Sequence, residues 1–492
     1  MPVTKSNPRK VSSNIGLLGV THLAGRGVGF LLTVTLARYL GEQGFGQFMY
    51  ALSWVMIGNM VADFGINNLV IREVAKDRDR AAEYLTGSLI IRGGIAILAT
   101  VGLIGLSAGL GVRGTLLRII ALLLLLVPIQ IVISSCGAIF QAFERMGICG
   151  SVDCLRSTLT AVGVLAMIPW GLSVWNAALS YLGAGAAVAV VSFAIARCLI
   201  DKPLDHWRVG ALLRLVYEAL PFLAVGLIFI IQDRSSIFIL GLLHGDGPVA
   251  RYAAAYELID GLHLSVVVVS MATFPVFSRT STADPKALDT LSRASMKYLV
   301  LLGVGMAVGL FVLASDVIHW VYGNAYAEAA TALRILALGI PVFFQRTLLG
   351  TILTAADRLR SLFLVYLIGF VLNVLAGWLI ISYFADGGAA AVTVLASLCV
   401  MLGCGIIAPK EVRRSCFAWY PRALLVGIVM AILVASLDQL NLFLRILTGM
   451  VVYGAGLFAF GCISYEDLRR LASVAPSGEK LDPASRPQNI GI

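Results

Sequence analysis

Charge is what this chain lacks. Only 13% of its 492 residues are Asp, Glu, Lys or Arg, about half the share of a soluble globular domain. An ordinary water-soluble fold of this length is therefore excluded. No stretch alternates apolar and polar residues over about ten positions, the pattern of a membrane β-barrel strand, so a barrel is excluded as well. The eight cysteines include no C-x-x-C and no pairing with His, and neither disulfides nor metal sites are implied. Loops expected outside are all short, which leaves no room for an external catalytic domain.

What is present is apolar: 59% of residues are hydrophobic and the mean hydropathy is +0.91. Apolar runs long enough to cross a ~30 Å hydrocarbon core as helices recur along nearly the whole chain. The fold class expected is an all-α polytopic membrane protein with about fourteen spans. Basic residues give an independent check. With the N-terminus cytoplasmic, twenty-seven Lys and Arg fall in inner segments and five (Arg38, Arg113, Arg118, Arg251, Arg445) in outer ones. That positive-inside bias puts both termini in the cytoplasm. The net charge of +10 then meets an anionic leaflet, and no nucleic-acid motif accompanies it.

A repeat organises the chain. Gly41-Glu42 opens a turn followed by Phe45, Phe48 and Ala51; 204 residues later Gly245-Asp246 is followed by Val249, Tyr252 and Ala255. Two homologous halves are a common transporter plan, with the site between them. The expected divisions are a basic tail (1–14), a six-helix lobe (15–198), a linker (199–217) anchored by Trp207, a second six-helix lobe (218–408), two further spans (420–465) and a disordered tail (466–492). The segments 72–83 and Thr280–Asp289 are read as matching inner loops.

Ionisable residues inside spans cost about 2.5–3.5 kcal/mol each on insertion scales and need a partner or a wet cavity. Arg26 lies near the middle of the first span without an evident local partner. Asp63 and Arg92 share a depth in the second and third spans and suit a structural pair. Asp233 and Arg234 adjoin in the seventh span. Glu257, Asp260 and His263 recur every three residues in the eighth, on one helical face, and with Asp233 are candidates for proton or cation coupling. Ion pairing that locks helices together explains such a set as well as a cavity does. Arg26 is the residue best suited to an anionic ligand, because a guanidinium holds phosphate oxygens bidentately and stays charged when desolvated.

The segments LARYLGEQGFGQFMYALS (Leu36–Ser53), ADFGINNLVIREVAK (Ala62–Lys76), IQDRSSIFILGLL (Ile231–Leu243), VARYAAAYELID (Val249–Asp260) and VYGNAYAEAATALRILAL (Val321–Leu338) occur in the order seen in one family. Over roughly 12–415 the chain resembles the polysaccharide-transport (Wzx-like, O-antigen and exopolysaccharide) branch of the MOP flippase superfamily. The resemblance implies two pseudo-symmetric six-helix lobes around a central cavity, plus two C-terminal helices. It implies a multi-pass protein of the cytoplasmic membrane, not an enzyme, that moves undecaprenyl-diphosphate-linked oligosaccharide from inner to outer leaflet by alternating access. Arg26, Arg234 and Arg92 would then engage the diphosphate. Membrane lipids, a polysaccharide polymerase and glycosyltransferases are the partners implied, with no cofactor. Two rivals stand beside it. A MATE-like cation-coupled drug antiporter would use Asp233, Glu257 and Asp260. A membrane-embedded glycan polymerase or ligase would need a larger outer loop carrying Arg or His.

Overall fold

The computed structural model describes residues 8–63, 65–200, 209–283, 285–356, 358–408 and 410–463. Trp207 and the C-terminal tail lie outside them. All regular elements among the described residues are helical. Hydrocarbon offers backbone N–H and C=O groups no water, and a helix satisfies them within one segment.

Two helices are too long for one crossing. Pro8–Asp63 has 56 residues and Leu359–Ile407 has 49, more than twice the ~20 that span a bilayer. Each bends at a residue outside the helical region, Gly41 (φ 66°) and Ala385 (φ 45°), and each supplies two spans. Gly41 and its repeat partner Gly245 (φ 78°) both adopt the left-handed conformation that glycine tolerates without a Cβ clash. With the bends resolved, helical segments lie on all fourteen expected spans. Nine helices among the described residues are long and apolar enough to cross, or ten if Ala329–Leu338 and Ile340–Ala355, bent by 48°, make one span. The expected spans outside that set are the first, second and eighth. These carry Arg26, Asp63 and the Glu257–Asp260–His263 face.

Two boundaries differ from expectation. The expected loop at Thr280–Asp289 is helical on both sides of residue 284: Asp246–Ala283 runs into it and Pro285–Val312 begins inside it. Pro285 starts the second helix, where a missing N–H costs nothing. The first helix begins at Pro8, inside the expected tail. Segment 72–83 is a short helix, Ile66–Lys76, followed by a 3-10 turn at Arg78–Arg80. It buries Ile66, Val70 and Val74 and leaves Arg72 and Lys76 exposed.

The largest buried cluster spans both halves. Phe45, Phe48, Ala51, Val249, Tyr252 and Ala255, the repeat residues, are all fully buried in it. A second cluster, including Ile66, Leu85, Ile139 and Val188, lies within the first half. A third joins the last two spans to the ninth through Val304, Met430 and Leu457, where the Tyr453 hydroxyl donates to the Leu301 carbonyl at 2.7 Å.

Candidate functional site

At the end of the bundle marked by Gly41 and Gly245, the halves are fastened together. Gly46 meets the backbone of Asp246 so closely that a Cβ there would lie 2.7 Å from the Asp246 carbonyl carbon. Gln47 Nε2 donates to Asp246 Oδ2 at 2.8 Å. Arg38 donates to the carbonyls of Val321 (2.7 Å) and Trp320 (2.5 Å), and the Tyr326 hydroxyl donates to the Ala37 carbonyl at 3.0 Å. Arg251 is the hub: its guanidinium lies 3.5 Å from Glu42, 3.2 Å from Glu328 and 3.2 Å from Asp386. One cation of the second half thus ties the first-half turn to two segments of its own half.

Burial raises the Glu42 carboxyl above its usual 4.5, against the lowering pull of Arg251; the neighbouring Glu328 and Asp386 add to the rise. A raised carboxyl contributes stability that is fully present below the unfolded-state value and lost as pH rises through the folded-state value. The sealed form should therefore lose melting temperature as pH rises from about 4.5 upward, and Glu42→Gln should flatten that slope. A Glu42→Gln profile parallel to wild type between pH 4 and 7 would show that Glu42 does not set it.

The halves also touch away from this seal, where the Met60 side chain packs on Gly226. Arg26 Nη1 lies 3.4 Å from Asp260 Oδ2, a contact between first and eighth spans, with the two side chains 51% and 45% exposed. Exposure of that extent deep in a bundle requires an opening between the halves. Gly25 makes the close approach to the fifth span, its Cβ position 3.6 Å from Cys154 Cα, whereas Gly27 and Gly29 face open space. The first span thus packs through Gly25 and leaves room beside Arg26.

The other predicted residues are distributed differently. Arg92 is fully buried and paired with Asp63; it also donates to Ser134 at 2.7 Å and Ser135 at 3.0 Å. That enclosure leaves it no face toward the opening. Arg234 sits 3.6 Å from Asp233, too far for a hydrogen bond, with its guanidinium 5.7 Å from the Tyr256 ring centroid. Asp233 accepts a 2.8 Å bond from the Tyr256 hydroxyl. His263 Nε2 is 2.8 Å from Thr347 Oγ1. Asp233, Asp260 and His263 line one cavity, with Gln232, Asn373 and Arg346; Glu257, half-buried, is outside that lining.

Sequence reasoning missed three arginines. Arg251 was counted only as an outer charge, because its acids lie in three separate turns. Arg346, in the helix Ile340–Ala355, is buried and bonded to Ser397 at 3.2 Å. Arg156 was assigned to an inner segment, yet it lies ten residues into the helix Met146–Met167, with a buried Nε that has no hydrogen-bond partner.

The comparisons agree with this architecture. The family model described as polysaccharide biosynthesis protein matches residues 11–281, and the MatE model matches 221–379. The EPS I polysaccharide export inner membrane protein EpsE of Ralstonia nicotianae (strain ATCC BAA-1114 / GMI1000) is 22% identical over 397 residues, covering 76% of this chain and 89% of that protein. Among solved structures, the lipid II flippase MurJ in an inward closed conformation superposes with a TM-score of 0.73 at 15% identity, covering 92% of this chain and 100% of the other. A multidrug resistance MATE transporter of the MOP superfamily, inward-facing, gives 0.62 at 15% identity, covering 83% of this chain and 95% of the other. At such identities the structures establish the fold alone. The first family match, however, takes in more than half of the sequence, including the Gly41 turn, Arg26, the Asp63–Arg92 pair and the Glu257–His263 face. The chain belongs to the polysaccharide biosynthesis protein family.

Proposed function

We propose that this protein is a flippase carrying undecaprenyl-diphosphate-linked oligosaccharide from the inner to the outer leaflet of the cytoplasmic membrane. The observation that carries the reading is Arg26, a half-exposed guanidinium deep between the two halves. A diphosphate-sugar headgroup cannot cross hydrocarbon unaided, since desolvating its charges is prohibitive. A wet passage holding a cation lowers that barrier while the polyprenyl tail stays in lipid. The export protein of Ralstonia nicotianae and the lipid II flippase support the class of cargo by analogy. With the orientation expected from the basic residues, both termini are cytoplasmic and the fastened end faces outward. Alternating access would then break the Arg251 cluster. A polymerase and glycosyltransferases would act beside it, and the passage itself does no covalent chemistry.

The Asp260 contact bears on mechanism. An anionic group entering the passage competes with Asp260 for Arg26, so release of Asp260 accompanies loading. The freed carboxylate, with His263 and Asp233 nearby, is the place for proton or cation coupling. The antiporter reading draws on the same acids and on the MatE match over 221–379.

The test is leaflet-resolved movement of a fluorescent undecaprenyl-diphosphate oligosaccharide in proteoliposomes. Wild type should move it, and folded Arg26→Ala should lose at least tenfold in rate, as expected when a charge-assisted contact worth about 1.5–3 kcal/mol is removed. No movement, even under a proton or sodium gradient, would favour the antiporter. Movement unaffected by Arg26→Ala would discard Arg26 as the diphosphate site.

A further inference from the structure

The cavity beside Asp260 contains polar groups that the protein itself leaves unsatisfied. It measures about 140 Å³, far more than the ~10–15 Å³ a single water needs. Gln232 belongs to its lining and, only 4% exposed, has neither amide atom hydrogen-bonded. Arg346, also in the lining and 8% exposed, has an orphaned Nε, while its Nη1 is held by Ser397. Buried polar side chains are nearly always paired, so two such residues in one lining call for an explanation. Asn373 and Thr393 add neutral polar lining and Phe229 an aromatic face.

We propose that this cavity is a saccharide subsite, taking the sugar next to the diphosphate of a lipid-linked glycan; the proposal rests on the flippase reading above. Three features select a sugar. An amide offers one acceptor and two donors, which matches hydroxyls that both donate and accept. Asp233 and Asp260 supply acceptors at the rim, while the Phe229 ring can lie against an apolar sugar face. Position matters as much as chemistry: Asp260 both contacts Arg26 and lines the cavity. A diphosphate that displaces Asp260 from Arg26 therefore leaves its attached sugar at the cavity mouth.

The test is equilibrium binding to the full-length protein in nanodiscs, with two probes: undecaprenyl diphosphate, and the lipid-linked oligosaccharide extracted from the source organism's membranes. Wild type should bind the glycosylated lipid more tightly. Gln232→Leu, close in volume and free of orphaned atoms, should weaken that lipid roughly three- to tenfold, the scale of a neutral hydrogen bond, and leave the bare diphosphate unchanged. Ser397→Ala, which unfastens Arg346, should shift the same way and serves if the first variant does not fold. Equal wild-type affinity for the two lipids, or equal losses of both in the variants, would overturn the subsite and leave the flippase reading standing. Binding of neither lipid by folded wild type would overturn both.

Discussion

Gly46→Ala is expected to hold the two halves apart at their fastened end. The added methyl would meet the Asp246 backbone, with Cα at 3.1 Å and the carbonyl carbon at 2.7 Å. A main-chain obstacle of that kind cannot rotate away as a side chain would. Overpacking a fitted interior costs about 1–3 kcal/mol. Here the contact is between halves, so the cost falls on the equilibrium between fastened and unfastened forms rather than on the folding of either half. A change of 1.4 kcal/mol is tenfold in population, which places the expected shift between roughly fivefold and more than a hundredfold. A cysteine at Gln47, in a background without the native cysteines, reads this directly. It should be shielded from a membrane-impermeant maleimide in the parent and labelled quickly in Gly46→Ala, and translocation should fall with it. Unchanged labelling would mean that the turn at Gly245 yields, and that the close approach does not define the fastened form.

Arg92→Met is expected to be the most destabilising single change in the first half. Arg92 is fully buried, while Asp63 is 35% exposed. Breaking a buried pair by removing one partner typically costs about 3–5 kcal/mol, and the partial exposure of Asp63 places this case near the lower figure. Ser134 and Ser135 also lose their donor. The apparent melting temperature in detergent should drop by several degrees, and Asp63→Asn added to Arg92→Met should restore part of the loss because the stranded carboxylate is gone. Stability equal to wild type in the single variant would show that Asp63 is solvated well enough to need no partner.

These two sites differ in how far sequence alone reveals them. Asp63 and Arg92 are separated by 29 positions, opposite in sign and equal in depth, so hydropathy was enough to suggest their pairing. The turn glycines were legible for a similar reason: a Gly-acid step between apolar runs returns with the same downstream aromatic and small residues. Arg26 looked partnerless because Asp260 is 234 residues away, and no local rule joins the first span to the eighth. Neutral polar residues are harder still. Gln232, Asn373 and Ser397 carry no charge whose insertion cost would draw attention, and only the packing around them shows that the Gln232 amide has nothing to bond. Arg156 reads in the sequence only as one basic residue among many near the inner boundary. Its half-buried place inside a helix depends on neighbours that sequence does not identify.

The 234-residue separation of Arg26 and Asp260 also has a consequence for biosynthesis. At ~5–20 residues per second, the ribosome needs roughly 10–50 s to make the chain between them, whereas Asp63 and Arg92 are completed within a few seconds of each other. The second and third spans can therefore neutralise one another while both are still leaving the insertion machinery. The first span has no such option. It enters the bilayer carrying an arginine worth about 2.5–3.5 kcal/mol of insertion cost, and must keep that charge hydrated or against lipid phosphate until the eighth span arrives. The residue proposed to meet the cargo thus has its assembly delayed, and the newborn first half spends that interval with its cation waiting for a counter-charge not yet translated.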